Sequence, residues 1–189
     1  MIYGPPKKLP DGRYYLKIEK EDGGRVMHQM NSSKIVTRFD ESEDNTIELS
    51  SAGVDRISAI DAEIITAAKE NCQAWFGKQL APQTLETAYT KSVKGVIMNV
   101  SKATVKNQVV TKVYSSTKEC ISSSELAEGV VCDVILELSG IWFMKKTFGP
   151  IWRIAQVKMS APPKKLYLDE YLFQDEEEKT HSDEDGDYI

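Results

Sequence analysis

The sequence predicts a mainly β chain, a single barrel decorated by two inserted helices and followed by an acidic tail. Three observations carry that expectation. Residues 130–159 alternate apolar and polar positions through two runs joined by a short turn. Strand-like runs on either side of one helical stretch bring the count of strand segments to about seven. The charge then changes abruptly at Gln174.

The elements follow in order. Residues 1–12, with Pro5, Pro6, Pro10 and Asp11-Gly12, read as irregular leader. Arg13 to Lys20 alternates Tyr15, Lys17 and Glu19 against Tyr14, Leu16, Ile18 and Lys20, the pattern of a half-buried strand. Glu21-Asp22-Gly23-Gly24 is a hairpin turn, since glycine takes the positive φ such turns need. Arg25 to Asn31 returns as a second strand, and Ile35–Phe39 and Thr46–Leu49 are shorter ones. Ile57, Ile60, Ile64, Ile65, Ala68, Cys72, Trp75 and Phe76 then recur at three and four, the stripe of an amphipathic helix. Ser58 followed by Asp61 resembles its cap, and Gly77 its stop. The stripe assigns Trp75 to the core. Pro82 suits the first position of a second helix bearing Leu85, Ala88 and Tyr89. Strands resume at Val96–Val100 and Val109–Tyr114; Ser122-Ser123-Ser124 caps one helical turn that Gly129 ends.

The long hairpin comes next. Val130, Cys132, Val134, Leu136 and Leu138 share one parity, and Asp133, Ile135, Glu137 and Ser139 the other. The turn is expected at 145–150. The returning run sets Trp152, Ile154, Gln156 and Lys158 against Ile151, Arg153, Ala155, Val157 and Met159. Pro162-Pro163 ends it, and Leu166–Phe173 is a last short segment. No internal repeat appears, and no regular βα alternation that would signal a parallel sheet.

The net charge of −5 conceals a separation. Residues 174–189 hold eight carboxylates and Lys179, which leaves residues 1–173 with 23 Lys and Arg against 21 Asp and Glu. The expected organisation is therefore a mildly basic domain, 1–173, and a disordered acidic tail, 174–189. No apolar run approaches the roughly 20 residues of a membrane helix, and the N-terminus lacks a signal-peptide core. Cys72, Cys120 and Cys132 are too scattered for a disulfide frame or a zinc site, which points to reduced thiols in an intracellular compartment.

Catalytic signals are sparse. His28 is the one histidine in the domain and lies mid-strand. No phosphate loop, dinucleotide fingerprint or metal-ligand spacing occurs, so no cofactor or metal is expected. Asp133 and Glu137, four apart on one strand face, are the only carboxylates that suggest a Mg²⁺ nuclease, and they read more simply as a solvated rim. Cations beside aromatic rings are the recurring motif. The candidate single-strand-binding set is Lys78, Lys91, Lys94, Lys102, Lys112, Tyr114, Trp142, Lys145, Lys146, Trp152, Arg153 and Lys158. In such a surface the rings stack on bases and the cations meet phosphates. The tail offers Asp183, Glu184, Asp185 and Asp187 ahead of an apolar tip, Tyr188-Ile189, a polyanion suited to docking on partners. The rival reading is a β-barrel adaptor or acidic-tailed chaperone for basic proteins.

Several stretches resemble one family: Leu9-Pro10-Asp11-Gly12-Arg13-Tyr14-Tyr15, Glu70-Asn71 with Trp75-Phe76-Gly77-Lys78, Leu138-Ser139-Gly140-Ile141-Trp142-Phe143, Phe148-Gly149, and Trp152-Arg153 with Gln156-Val157-Lys158. With the acidic tail, they are similar to the single-stranded DNA-binding proteins of nucleocytoplasmic large DNA viruses, relatives of the replicative single-strand binder of T-odd phages. The resemblance implies an oligonucleotide-binding (OB) fold, a five-stranded barrel with additional strands, that carries single-stranded DNA (ssDNA) along its face. It also implies a tail that contacts replication proteins such as polymerase or helicase–primase, a tail able to occupy the DNA groove, dimerisation through it, and residence in host cytoplasm or nucleus at viral replication sites. The phage proteins end in phenylalanine, whereas this chain ends Tyr188-Ile189.

Overall fold

The computed structural model describes residues 1–10, 12–37, 39, 44–106 and 108–160. The short segment expected at 166–173 and the whole tail lie outside these residues. Seven strands do most of the building: β1 (Tyr14–Glu19), β2 (Val26–Ile35), β3 (Asp44–Glu48), β4 (Ile97–Lys102), β5 (Lys112–Tyr114), β6 (Val131–Phe143) and β7 (Phe148–Met159). Three helices interrupt them between β3 and β4: α1 (Ser51–Glu70), α2 (Cys72–Phe76) and α3 (Pro82–Ala88).

Five strands close a ring. β2 pairs antiparallel with β3 and β6, β3 with β4, and β6 with β7; β4 and β7 close the circle in parallel. A five-stranded barrel of this connectivity is an OB-like fold. Closure removes edges that would otherwise template aggregation. The additional strands flank it: β1 lies beside the outer end of β6, and β5 runs parallel to the end of β7.

The apolar parity read from β6 is the barrel interior, where Cys132, Val134, Leu136 and Leu138 are fully buried. Met30, Ile35, Ile47, Met98, Val100, Ile154 and Val157 meet them. Burial pushes the Cys132 thiol up to about 12, so it packs as a small hydrophobe.

β7 departs from its expected alternation. Ile135 pairs with Gln156 but Leu136 with Ile154, so Ala155 is an extra residue. This bulge places Trp152, Ile154 and Val157 all inward, and no single parity of β7 is the buried one. A second irregularity, between Leu138 and Gly140, rotates the outer end of β6. A third lies in β2, where Ser32 takes a φ of 54° and its N–H donates to Asp133 Oδ1 at 3.1 Å.

The turn is shorter than expected. It occupies 144–147, closed by Met144 N–H to Thr147 O, and Phe148, Gly149 and Pro150 belong to β7. Pro150 is tolerated because it falls between pairings on that edge: the Tyr89 bridge meets β7 at Phe148, and β4 and β5 join it only from Arg153 onward.

α1 begins seven residues before Ser58. Ser50 is the cap, accepting from Gly53 N–H, and Gly53 is buried against Leu49. The helix does not run to Gly77 unbroken. Asn71 turns its side-chain amide back to Ala67 O at 2.9 Å, and the chain restarts as α2, ended by Gly77 at φ 70°. Trp75, at 8% exposure, is a core residue as the stripe required. Ser122 and Glu125 form a reciprocal capping box on a short 3₁₀ turn. Among the described residues, no helix is long and apolar enough to cross a membrane.

Candidate nucleic-acid interface

The cross-strand registers assemble one outward face from β1, β5, β6 and β7. Side chains of residues directly opposite on paired strands point to the same side. Tyr114, Lys158 and Asp133 therefore form one rung, and Lys112, Gln156 and Ile135 the next. Arg153 and Glu137 make a third, Lys17 beside Gly140 a fourth, and Tyr15 beside Trp142 a fifth. From Gly149, opposite Trp142, to Lys158 is nine residues of β7, so the face spans about 30 Å at roughly 3.3 Å per residue.

Two glycines give the face its shape. Tyr15 lies over Gly140, where an added Cβ would sit 2.3 Å from the ring, and its hydroxyl donates to Ser139 O at 2.8 Å. Trp142 lies across Gly149, where a Cβ would sit 3.1 Å from Cζ2. Bare backbone at both points lets large rings lie against the sheet. Burial raises the Tyr15 hydroxyl, partly offset by the Arg153 and Lys17 charges beside it, so it stays protonated and holds its bond.

The cations on this face are held by light ion pairs. Lys17 Nζ meets Glu19 at 2.5 Å, Arg25 Nη1 meets Glu137 at 3.4 Å, and Lys158 Nζ meets Asp133 at 3.7 Å. Lys17–Glu19 and Lys158–Asp133 are largely exposed pairs of the kind that contribute about 0–1 kcal/mol, so exchanging their carboxylates for a phosphate costs little, whereas Glu137, 8% exposed, holds Arg25 from a buried position. The same contacts account for Asp133 and Glu137. Asp133 serves the Ser32 bulge and Lys158, and Glu137 serves Arg25, so neither points to a nuclease centre.

The twelve residues selected from sequence fall in five places. Lys112, Tyr114, Trp142, Arg153 and Lys158 lie on this face. Lys78, Lys145 and Lys146 border a separate groove between α2, α3 and the 144–147 turn. Lys91 and Lys94 are exposed on the segment after α3, and Lys102 places Nζ 5.1 Å from the Phe39 ring centroid. Trp152 is corrected: it is 4% exposed, its Nε1 donates to Ser92 Oγ at 2.8 Å, and it offers no ring to a base. Phe143 and Phe148 are likewise buried. Asp183, Glu184, Asp185, Asp187, Tyr188 and Ile189 lie outside the described residues.

Tyr15, Lys17 and Arg25 were missed as site residues. The alternation placing Tyr15 and Lys17 on one face was visible. That this face continues onto Trp142 follows from a pairing between residues more than a hundred positions apart.

Comparison with known proteins yields the following. Residues 29–175 match the model of a family of unknown function (DUF5871). No curated protein matches. A C-terminal truncation of the single-stranded DNA-binding protein from bacteriophage Enc34 is similar in structure, with a TM-score of 0.50 and 12% identity over 85% of this chain and 94% of that one. The same protein in complex with ssDNA gives a TM-score of 0.48 and 13% identity over 87% and 98%. At these identities the likeness is one of fold.

Proposed function

We propose that this chain, which belongs to the family of unknown function DUF5871, binds single-stranded DNA without sequence preference along the outer face of β1, β5, β6 and β7. The carrying observation is one outward face with half-buried rings at both ends, Tyr15 and Trp142 at one and Tyr114 at the other, and with Lys17, Arg153, Lys112 and Lys158 along it. The fold it shares with a phage single-stranded DNA-binding protein supports the reading. Each stacked base would contribute about 1–3 kcal/mol, and every base has a π-face, so the surface discriminates little among sequences. Lys and Arg displace counterions from the backbone, and affinity should fall steeply with salt. A face of about 30 Å fits a short stretch of strand, in keeping with the roughly 4–16 nucleotides an OB fold engages.

We infer that the wider role is coating of exposed strands during viral DNA replication, recombination or repair, with no catalysis. In this reading the carboxylates of 174–189 attract replication proteins such as polymerase or helicase–primase while the basic domain holds DNA. The charge separation between domain and tail supports it.

The experiment is a titration of labelled oligo-dT and of a duplex of equal length, at two salt concentrations. Saturable, salt-sensitive binding of oligo-dT, with much weaker binding of the duplex, is expected. Equal affinity for both, or none for oligo-dT, would exclude the function.

A further inference from the structure

The groove between α2, α3 and the 144–147 turn has a chemistry unlike that of the sheet face. It encloses about 1010 Å³, and its floor is Phe76, Leu80, Leu85, Phe143 and Phe148. Lys78 stands on one rim and Lys145 and Lys146 on the other, and among the described residues no Asp or Glu lines it. None of the three lysines has an ion pair within the described residues. Met144, at 56% exposure, adds an apolar side chain to the same rim.

The floor rings are engaged with one another. Phe143 and Phe148 stack at 6.0 Å with 11° between planes, and Phe76 stands edge-on to them at 5.5 and 5.1 Å. A nucleobase needs a free ring face, and the floor rings are closed by their own packing, which leaves Tyr14, 46% exposed, as the one open ring among the described lining residues. Aliphatic or aromatic side chains of a peptide need only apolar surface, which Leu80, Met144 and the ring edges supply. An apolar trough bounded by three unpaired ammonium groups is complementary to a segment that alternates apolar anchors with carboxylates.

We propose that this groove docks an acidic, apolar-anchored peptide segment of a partner protein, separately from the DNA face. The carboxylates are drawn in by Lys78, Lys145 and Lys146, and the anchors displace water from the floor. Charge steers the encounter and apolar burial holds it.

The test uses the full chain and a short fluorescein-labelled peptide of alternating Asp-Glu and Leu-Phe pairs, read by anisotropy. Saturable binding is expected, absent for a counterpart with Lys and Arg in place of the carboxylates. M144D should weaken it tenfold or more, and K78E should do likewise, while oligo-dT binding by M144D matches the parent. Unaltered peptide binding by both variants, or no saturable binding by the parent, overturns the proposal. Competition by oligo-dT would give the groove to nucleic acid instead. Binding that appears only when Asp183, Glu184, Asp185 and Asp187 are changed to amides would give it to the chain's own tail.

Discussion

The Tyr15 ring rests on Gly140, with no room between them for a methyl group: a Cβ at Gly140 would lie 2.2 Å from Leu16 O and 2.3 Å from the Tyr15 ring. The contact joins β1 to β6 across 125 positions and fixes one ring of the outer face.

Gly140→Ala should therefore act on both fold and site. Separating β1 from β6 is a backbone displacement, and a loss of more than 2 kcal/mol in urea unfolding is expected. Oligo-dT affinity should fall with it. Gly23→Ala, at φ 77° with nothing within 4 Å, is the comparison: it should cost about 1 kcal/mol and leave binding unchanged. Equal effects of the two would remove the contact from the account.

A buried polar knot ties the helices to the barrel. Asp61, 6% exposed, accepts the Tyr89 hydroxyl at 2.8 Å, Ser92 N–H at 2.9 Å and the Ser92 hydroxyl at 2.5 Å. Ser92 Oγ in turn accepts Trp152 Nε1. Burial, the Asp61 charge and the hydrogen bond to Asp61 all hold the Tyr89 proton in place far above the usual phenol range. Tyr89→Phe removes one donor from a buried carboxylate and should cost about 1.5–3 kcal/mol, measured by the urea midpoint. No loss would mean that Ser92 alone suffices.

His28 predicts an acid sensitivity. It packs edge-on against Trp152 at 5.7 Å, and among the described residues neither ring nitrogen has a hydrogen-bond partner. Burial, then the Arg56 charge, lowers it below its ordinary 6.5. The unfolded chain takes up the proton first, so the stability is present above about pH 6.5 and drains away as pH falls towards the folded value. The parent should lose more stability than His28→Leu between pH 7.5 and 5.5. Parallel losses would contradict it.

Arg153→Ala probes the phosphate contacts. Removing one cation should weaken oligo-dT binding at low salt and flatten the slope of log affinity against log salt by about 0.7. A parallel line of lower affinity would mean that Arg153 acts on the surface's shape and not through phosphate.

Much of the barrel was legible because alternation in β6 is unbroken over Cys132 to Leu138, where both neighbours are paired. β7 was misread because the bulge at Ala155 swaps its faces, and nothing local in Ala155-Gln156 marks it. That swap sent Trp152 inward while Trp142, past the second irregularity, turned outward. Two tryptophans of similar sequence surroundings thus have opposite roles. The early start of α1 was missed because its first turn buries only Gly53, which carries no apolar signal. The site was half legible: cations near rings could be found, but whether they share a face depends on pairings such as Tyr15 with Trp142.

The three tryptophans allow the most direct test. Trp75 and Trp152 are buried and Trp142 is half-buried on the proposed face. Intrinsic fluorescence should be quenched by oligo-dT in the parent, in Trp75→Phe and in Trp152→Phe, and the quench should vanish in Trp142→Phe. If Trp142→Phe keeps the quench and Trp75→Phe or Trp152→Phe loses it, the strand runs elsewhere and the sheet face is not the interface.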